Sequence, residues 1–114
     1  MTTTAGSMLS CTVEGAVATL LINHPPANTL TPELLAELST TFDQVAKDEA
    51  VKVVVLTGTG RFFIAGADIR VLASIASSKE GGAMALQGQA ILDRIEGVGK
   101  PVIAAINGIC LGGG

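Results

Sequence analysis

The sequence has few aromatic residues, with three Phe and no Trp or Tyr among its 114 residues. The core of a folded domain must therefore be built from aliphatic side chains, and apolar residues make up 48% of the chain. Aliphatic side chains suit helices that pack closely on a sheet, so the expected fold class is α/β. The length allows one small domain and not two.

Charge is also scarce. Charged residues make up 15% of the chain, the formal net charge is −3, and no basic run is present. This composition gives no electrostatic reason to expect a nucleic acid or an anionic membrane as a partner. The segment Met1–Ser7 lacks the basic and apolar regions of a signal peptide, and no apolar run approaches the roughly 20 residues of a transmembrane helix. We therefore expect a soluble cytoplasmic protein.

Several kinds of catalytic and cofactor site have no counterpart in the sequence. His24 is the only histidine and lies beside two prolines, so it is interpreted as a loop residue, and no metal site is expected. Cys11 and Cys110 are far apart and form no CxxC pattern, which is typical of buried thiols in a reducing compartment. No nucleophile elbow or phosphate-binding loop is present, and Phe63 stands where a dinucleotide-binding fingerprint needs its third glycine.

The hydrophobic pattern predicts a chain in the order β-β-α-β-α-α-β. Thr31 and Pro32 have the residue types of a helix start, with Thr at the N-cap and Pro at the first helical position. Strand–helix–strand connections imply parallel pairing of the later strands. The predicted elements are a loose tail over 1–7, a hairpin over 8–14 and 16–23, helices over about 31–48, 69–76 and 83–96, a loop over 77–82, and buried strands over 51–57 and 101–106.

Two segments rich in small residues follow predicted parallel strands, residues 63–68 and 108–114. The carboxyl edge of a parallel sheet is where α/β proteins bind their ligands. Free peptide N–H groups at such turns can bind a carbonyl oxygen more strongly as it gains negative charge, which makes an oxyanion hole. Alternatively, small residues at strand ends serve only to form tight turns.

Taken together, the motifs resemble the enoyl-CoA hydratase/isomerase (crotonase) family. Residues 22–30 (INHPPANTL) resemble the family's N-R-P-x-x-N-A-L, and residues 53–63 (VVVLTGTGRFF) resemble V-V-L-T-G-x-G-x-x-F. Residues 64–69 (IAGADI), 100–108 (KPVIAAING) and 111–114 (LGGG) resemble the motifs that follow. The resemblance implies a crotonase-like spiral of β-β-α units, with residues 8–114 as the N-terminal part of that domain and its C-terminal part missing.

The resemblance also implies roles for individual residues. The peptide N–H groups of Ala67 and Gly113 would polarise the thioester carbonyl of an acyl-CoA. Coenzyme A would enter as part of the substrate, and no prosthetic group is expected. The residues that match the family's CoA-binding segments are Pro26, Ala27, Thr29, Ala65, Asp68, Ile69 and Arg70.

The implied activity is that of an enoyl-CoA hydratase, which adds water to a trans-2-enoyl-CoA. The family's catalytic glutamates fall after Gly114, so the parent protein is expected to be the enzyme and the isolated chain to be inactive. An isomerase, a hydrolase or a decarboxylase of the same family, and an inactive CoA-binding fragment, are the alternatives. A homo-oligomer, a trimer or hexamer in the intact family, is expected. Ile64 replaces a small residue of the family pattern and is expected to narrow the acyl entrance.

Overall fold

The computed structural model describes residues 2–114, which form one five-stranded sheet, a second small sheet and three helices. This part of the chain contains seven strands, whereas the sequence pattern predicted four. In chain order the elements are β1 Thr2–Ala5, β2 Leu9–Glu14, β3 Val17–Ile22, α1 Pro32–Lys47, β4 Val53–Gly58, β5 Phe62–Ile64, α2 Ile69–Ala73, α3 Ser78–Glu96, β6 Val102–Ala105 and β7 Ile109–Cys110.

The larger sheet has the strand order β1-β2-β3-β4-β6. The first three strands run antiparallel, and the predicted hairpin turns at Gly15, whose φ of 59° suits glycine. The strands β3, β4 and β6 are parallel, as the sequence predicted. Along β3, Ala18, Leu20 and Ile22 are buried while the alternate residues are more exposed, which is the period of a strand with one covered face.

The helix α1 covers the buried face of this sheet. It begins where the sequence predicted, because the Thr31 hydroxyl accepts a hydrogen bond from the Leu34 N–H at 3.2 Å. At its other end the Lys100 ammonium donates to the Asp48 carbonyl at 2.7 Å, which places a cation at the negative end of the helix. The buried side chains of its inner face are Leu34, Leu38, Phe42 and Val45.

The N-terminal residues were expected to be a loose tail. Instead β1 pairs with β2 in a regular antiparallel register, from Thr2 opposite Val13 to Ala5 opposite Ser10. Three successive threonines favour an extended backbone because their side chains are β-branched. Met1, which belonged to the same prediction, lies outside the described residues.

The third helix starts five residues before its predicted start at Ala83, so the loop predicted over 77–82 is wrong. The Ser77 hydroxyl accepts from the Glu80 N–H at 3.1 Å, and the Glu80 carboxylate accepts from the Ala76 N–H at 3.2 Å. These bonds satisfy N–H groups at the helix start and outweigh the low helix propensity of the two glycines that follow. The predicted inner face also needs correction, because Leu92 is 49% exposed.

The strand predicted over 101–106 exists as β6, but it is not buried. Ile103 is 53% exposed and Ile106 is 58% exposed. The reason is that, within residues 2–114, β6 forms an edge of the sheet and has a neighbouring strand, β4, on one side only. Beyond it, β7 pairs in parallel with β5 to form the second, two-stranded sheet, which the sequence pattern did not predict.

Candidate functional site

The first glycine-containing segment follows β5 and turns sharply at Gly66, whose φ is 95°. Leu30 makes an isolated parallel bridge with Ala67. The Leu30 N–H donates to the Gly66 carbonyl at 2.8 Å, and the Asp68 N–H donates to the Leu30 carbonyl at 3.0 Å. The Gly66 carbonyl and the Ala67 N–H belong to the same peptide group and point in opposite directions. Because the carbonyl points towards Leu30, the Ala67 N–H points away from Leu30, to the other side of the segment.

The second segment follows β7. The Leu111 N–H donates to the Ile64 carbonyl at 3.0 Å, which attaches this segment to the end of β5. The Gly114 N–H then donates to the Leu111 carbonyl at 2.9 Å and closes a turn in which Gly112 has a φ of 54°. The bond of such a turn joins its first and last residues, so the N–H of Gly113, the third residue, is left out of it.

The two segments meet at Gly66 and Gly112. A Cβ atom placed on Gly66 would lie 3.4 Å from the Leu111 carbonyl oxygen, and one placed on Gly112 would lie 3.4 Å from the Gly66 Cα. The two segments therefore lie so close that a Cβ on either glycine would touch the backbone of the other segment. Within residues 2–114, neither the Ala67 N–H nor the Gly113 N–H donates a hydrogen bond to the chain. The structure thus brings the two sequence-predicted donors onto adjoining segments.

An apolar cavity of about 270 Å³ opens beside Ala67 and lies between the three helices. Of the predicted site residues only Ala67 lines it. The sequence prediction missed the other lining residues, although the helical spacing of Met84 and Ile91 on α3 marked them as inward-facing. The side chains that form much of its wall are Leu30, Leu35, Val71, Leu72, Ile75 and Met84.

Three of the predicted CoA-binding residues form one polar network around the buried carboxylate of Asp68. Its Oδ2 accepts from the Arg70 guanidinium at 3.1 Å and from the Thr29 hydroxyl at 3.0 Å. Its Oδ1 accepts from the Arg70 N–H at 2.9 Å, which caps α2. The hydrogen bond from the Arg70 side chain, with that from Thr29, holds the pKa of Asp68 well below its usual range despite burial, and Asp68 in turn raises the pKa of Arg70.

The other predicted residues are more dispersed. Pro26 is exposed and lines a separate groove together with residues 59–62, while Ala27 and Ala65 are half-buried. Ile69 is 80% exposed at the start of α2. Ile64 was expected to narrow an acyl entrance, but it is 5% exposed, belongs to the core and does not line the cavity.

Two asparagines without a role in the sequence prediction hold these loops in place. Asn28 is 3% exposed with a φ of 52°, and its Nδ2 donates to the carbonyls of Phe62 at 3.0 Å and Phe63 at 3.2 Å. Its Oδ1 accepts from the N–H of His24, which is a loop residue as expected. The Nδ2 of Asn107 donates to the same Phe62 carbonyl at 3.1 Å. The available signal was an Asn in each turn, a residue whose side chain often bonds to backbone groups in turns.

Cys11 and Cys110 are both free thiols and both half-buried. Burial raises the pKa of Cys11, and the nearby charge of Asp48 adds to the effect. In the part of the chain that the structure describes, no helix has the length and apolar character needed to cross a membrane. The same residues contain no group of three His, Cys, Asp or Glu side chains that could hold a metal ion.

The sequence is similar to those of known proteins over most of its length. The family model described as enoyl-CoA hydratase/isomerase matches residues 12–114. The chain is 44% identical over 106 residues to a probable enoyl-CoA hydratase of Bacillus subtilis (strain 168), which covers 93% of this chain and 41% of that protein. It is 41% identical over 103 residues to a short-chain-enoyl-CoA hydratase of Clostridium acetobutylicum. That match covers 89% of this chain and 39% of the other protein.

The fold is also found in solved structures. The crystal structure of an enoyl-CoA hydratase from Bacillus anthracis superimposes with a TM-score of 0.88 at 33% identity, over 95% of this chain and 43% of that one. The expected crotonase-like α/β fold is therefore confirmed, and the chain spans about two-fifths of the length of the curated relatives it matches. On the family match and these identities, the chain belongs to the enoyl-CoA hydratase/isomerase family.

Proposed function

We propose that this chain forms the oxyanion-hole half of an enoyl-CoA hydratase. In the reaction, the oxygen of water bonds to C3 of a trans-2-enoyl thioester, a proton is delivered to C2, and the C2–C3 double bond becomes a single bond. Negative charge builds up on the thioester oxygen between these events. Donors that bind this oxygen more tightly as it gains charge lower the barrier, and the loss of one donor costs about 3–4 kcal/mol in comparable sites.

The observation that carries the proposal is the contact between Gly66 and Gly112. It supports a role for Ala67 and Gly113 as the two donors, because it sets their segments side by side while neither N–H donates a hydrogen bond within residues 2–114. The apolar cavity beside Ala67 supports an acyl chain as the part of the substrate that extends from the carbonyl.

Coenzyme A would bind along the outer side of the same segments. Arg70 is exposed over 87% of its side chain, and we infer that its guanidinium meets a phosphate of the nucleotide while the Asp68 carboxylate holds the orientation of that guanidinium. The exposed side chain of Ile69 suits contact with the adenine or the pantetheine chain. The rest of the proposed CoA-binding surface would be formed by Thr29, Ala65, Pro26 and Ala27. Coenzyme A is then part of the substrate, and no prosthetic group takes part.

Among residues 2–114, no Asp or Glu lines the cavity beside Ala67, and the carboxylate of Asp68 is already bonded to Arg70 and Thr29. We propose that residues beyond Gly114, in a protein of the relatives' length, supply the acid and base of the reaction, and that the whole protein is a cytoplasmic homo-oligomer. An isomerase, a hydrolase or a decarboxylase would need the same oxyanion hole, so the products of the reaction decide between them.

The test is to incubate the full-length protein that carries this chain with crotonyl-CoA and to identify the product. The proposal predicts 3-hydroxybutyryl-CoA, formed with uptake of one water molecule. Release of free CoA would indicate a hydrolase. In a separate incubation with a 3-enoyl-CoA, movement of the double bond would indicate an isomerase. The 114-residue chain alone is expected to give no turnover, and hydration by that chain would contradict the account of the missing acid and base.

A further inference from the structure

We propose that Leu30 is a positioning residue for both oxyanion-hole donors, through its main chain at one and its side chain at the other. This inference rests on the proposed function for its catalytic consequence. The contacts themselves are independent of that function. They come from a residue that lies on neither donor segment and ends the loop before α1.

The main chain of Leu30 fixes the orientation of Ala67. Its N–H and its carbonyl bind Gly66 and Asp68, the neighbours on either side of Ala67, at 2.8 and 3.0 Å. Two bonds on one edge of a short segment prevent it from rotating about its own axis. The Ala67 N–H is therefore held on the opposite edge, and its direction depends on where Leu30 lies.

The side chain of Leu30 occupies the space beside Gly113 in which a Cβ would lie. A methyl carbon placed on Gly113 would lie only 2.8 Å from the Leu30 Cδ1, which is closer than carbon atoms can approach without movement. The leucine methyl therefore lies directly against the Gly113 backbone. The same side chain lines the cavity next to Ala67, so it fills the space between the second donor and the wall of the acyl site.

The two residues next to Leu30 in the sequence, Thr29 and Thr31, are both anchored by hydrogen bonds. Thr29 bonds to the Asp68 carboxylate at 3.0 Å, and Thr31 caps α1 through the Leu34 N–H at 3.2 Å. The residue is thus fixed between a polar anchor and a helix start. A rigid support of this kind is what an oxyanion hole needs, because small displacements of a donor weaken its bond to a developing charge.

The contact between Leu30 and Gly113 makes a double-mutant cycle the sharpest test. In the full-length protein, Gly113→Ala places a methyl group against the Leu30 side chain and should lower kcat by about tenfold to a hundredfold with little change in KM. Leu30→Ala removes the support and should also lower kcat by about tenfold or more, while Leu30→Met should restore most of it. The double variant Leu30→Ala, Gly113→Ala relieves the clash, so its loss should be smaller than the product of the two single losses.

Leu38→Ala is the matched control, because Leu38 is a buried leucine of α1 that lines no part of the cavity. It should lower stability and leave kcat per folded molecule unchanged. If the loss of kcat in the double variant equals the product of the two single losses, the proposal is overturned. It is also overturned by a Leu30→Ala variant that changes KM alone, because Leu30 would then only line the acyl site.

A second measurement separates this inference from the proposed function. Backbone amide NMR spectra of the full-length protein should show that Leu30→Ala displaces the signals of both Ala67 and Gly113, whereas Leu38→Ala displaces neither. If the full-length protein has no hydratase activity but both signals move, the proposed function fails and the positioning role stands. If neither signal moves, the positioning role is wrong whatever the activity.

Discussion

Gly66 and Gly112 lie backbone against backbone, each with a positive φ, at the junction of the two segments that carry the proposed donors. A side chain on either residue would strain its own backbone, and its Cβ would already be in van der Waals contact with the other segment. The contact joins β5 and β7 of the small sheet to the turn that closes at Gly114. The relative position of Ala67 and Gly113 therefore depends on two residues that have no side chain.

Gly66→Ala tests this dependence. The φ of 95° is unfavourable for any residue with a Cβ and should cost roughly 1–3 kcal/mol of stability. If the segment rotates to relieve the strain, the Ala67 donor is displaced, and kcat of the full-length enzyme should fall about a hundredfold to a thousandfold. Steady-state kinetics and denaturant unfolding measure the two effects separately.

Gly82→Ala is the matched control for this change. Gly82 lies within α3, has ordinary helical φ, and has no atom within 4 Å of the place that a Cβ would occupy. The same substitution there should raise the free energy of unfolding by about 0.5–1 kcal/mol and leave kcat unchanged. Equal effects at Gly66 and Gly82 would contradict the importance of the glycine contact.

Asn28 allows a second comparison of two variants at one position. Asn28→Ala loses the hydrogen bonds to Phe62, Phe63 and His24 and keeps a Cβ at a φ of 52°, whereas Asn28→Gly loses the same bonds without that strain. Both should be less stable than the parent by about 1–3 kcal/mol, because the Phe63 carbonyl and the His24 N–H each lose the Asn28 side chain as a partner, while the Phe62 carbonyl keeps its bond from Asn107. Ala should be worse than Gly by roughly 1 kcal/mol in denaturant unfolding. Equal stabilities would show that the backbone at Asn28 is not strained.

Asp68 gives a prediction about pH. Its pKa in the folded chain is lowered by Arg70 and Thr29, so its ionised form stabilises the fold above the unfolded value of about 4. That stabilisation is lost as the pH falls through the lowered folded pKa. The difference in free energy of unfolding between the parent and Asp68→Asn should therefore be largest above about pH 4 and shrink below it.

Asp43→Asn controls for the loss of one negative charge. Asp43 pairs with Arg94 at 3.2 Å, but both side chains are about half-exposed, and such surface pairs contribute little. Its variant should differ less from the parent than Asp68→Asn does at neutral pH. A difference for Asp68→Asn that is the same at acidic and neutral pH would refute the assignment of the lowered pKa.

Local patterns in the sequence were enough to predict the elements that local chemistry determines. Thr31 and Pro32 begin α1 where expected, and the β-branched run before Gly58 is a parallel strand. The sequence prediction missed the N-cap of α3, although a Ser followed three residues later by Glu, here Ser77 and Glu80, is a pattern that predicts a helix start. The error at Leu92 arose because an apolar residue on a helix need not face its partner.

Tertiary contacts explain what the sequence could not predict. The three-residue strand β5 exists because β7 pairs with it from far along the chain, and no local pattern encodes that pairing. The exposure of Ile103 depends on β6 being a sheet edge, which is a property of the topology. At the candidate site, the family motifs named Ala67 and Gly113, but the role of Leu30 emerged only from its contacts with both segments.

The central claim is that the N–H groups of Ala67 and Gly113 bind the thioester oxygen together. The most direct measurement is an amide NMR titration of the full-length protein, labelled with 15N at alanine and glycine, with butyryl-CoA and, in parallel, with free CoA. The account predicts that butyryl-CoA moves the Ala67 and Gly113 signals downfield together along one binding curve, whereas CoA alone leaves both in place. Saturation with butyryl-CoA that moves neither signal, or only one of them, would contradict it.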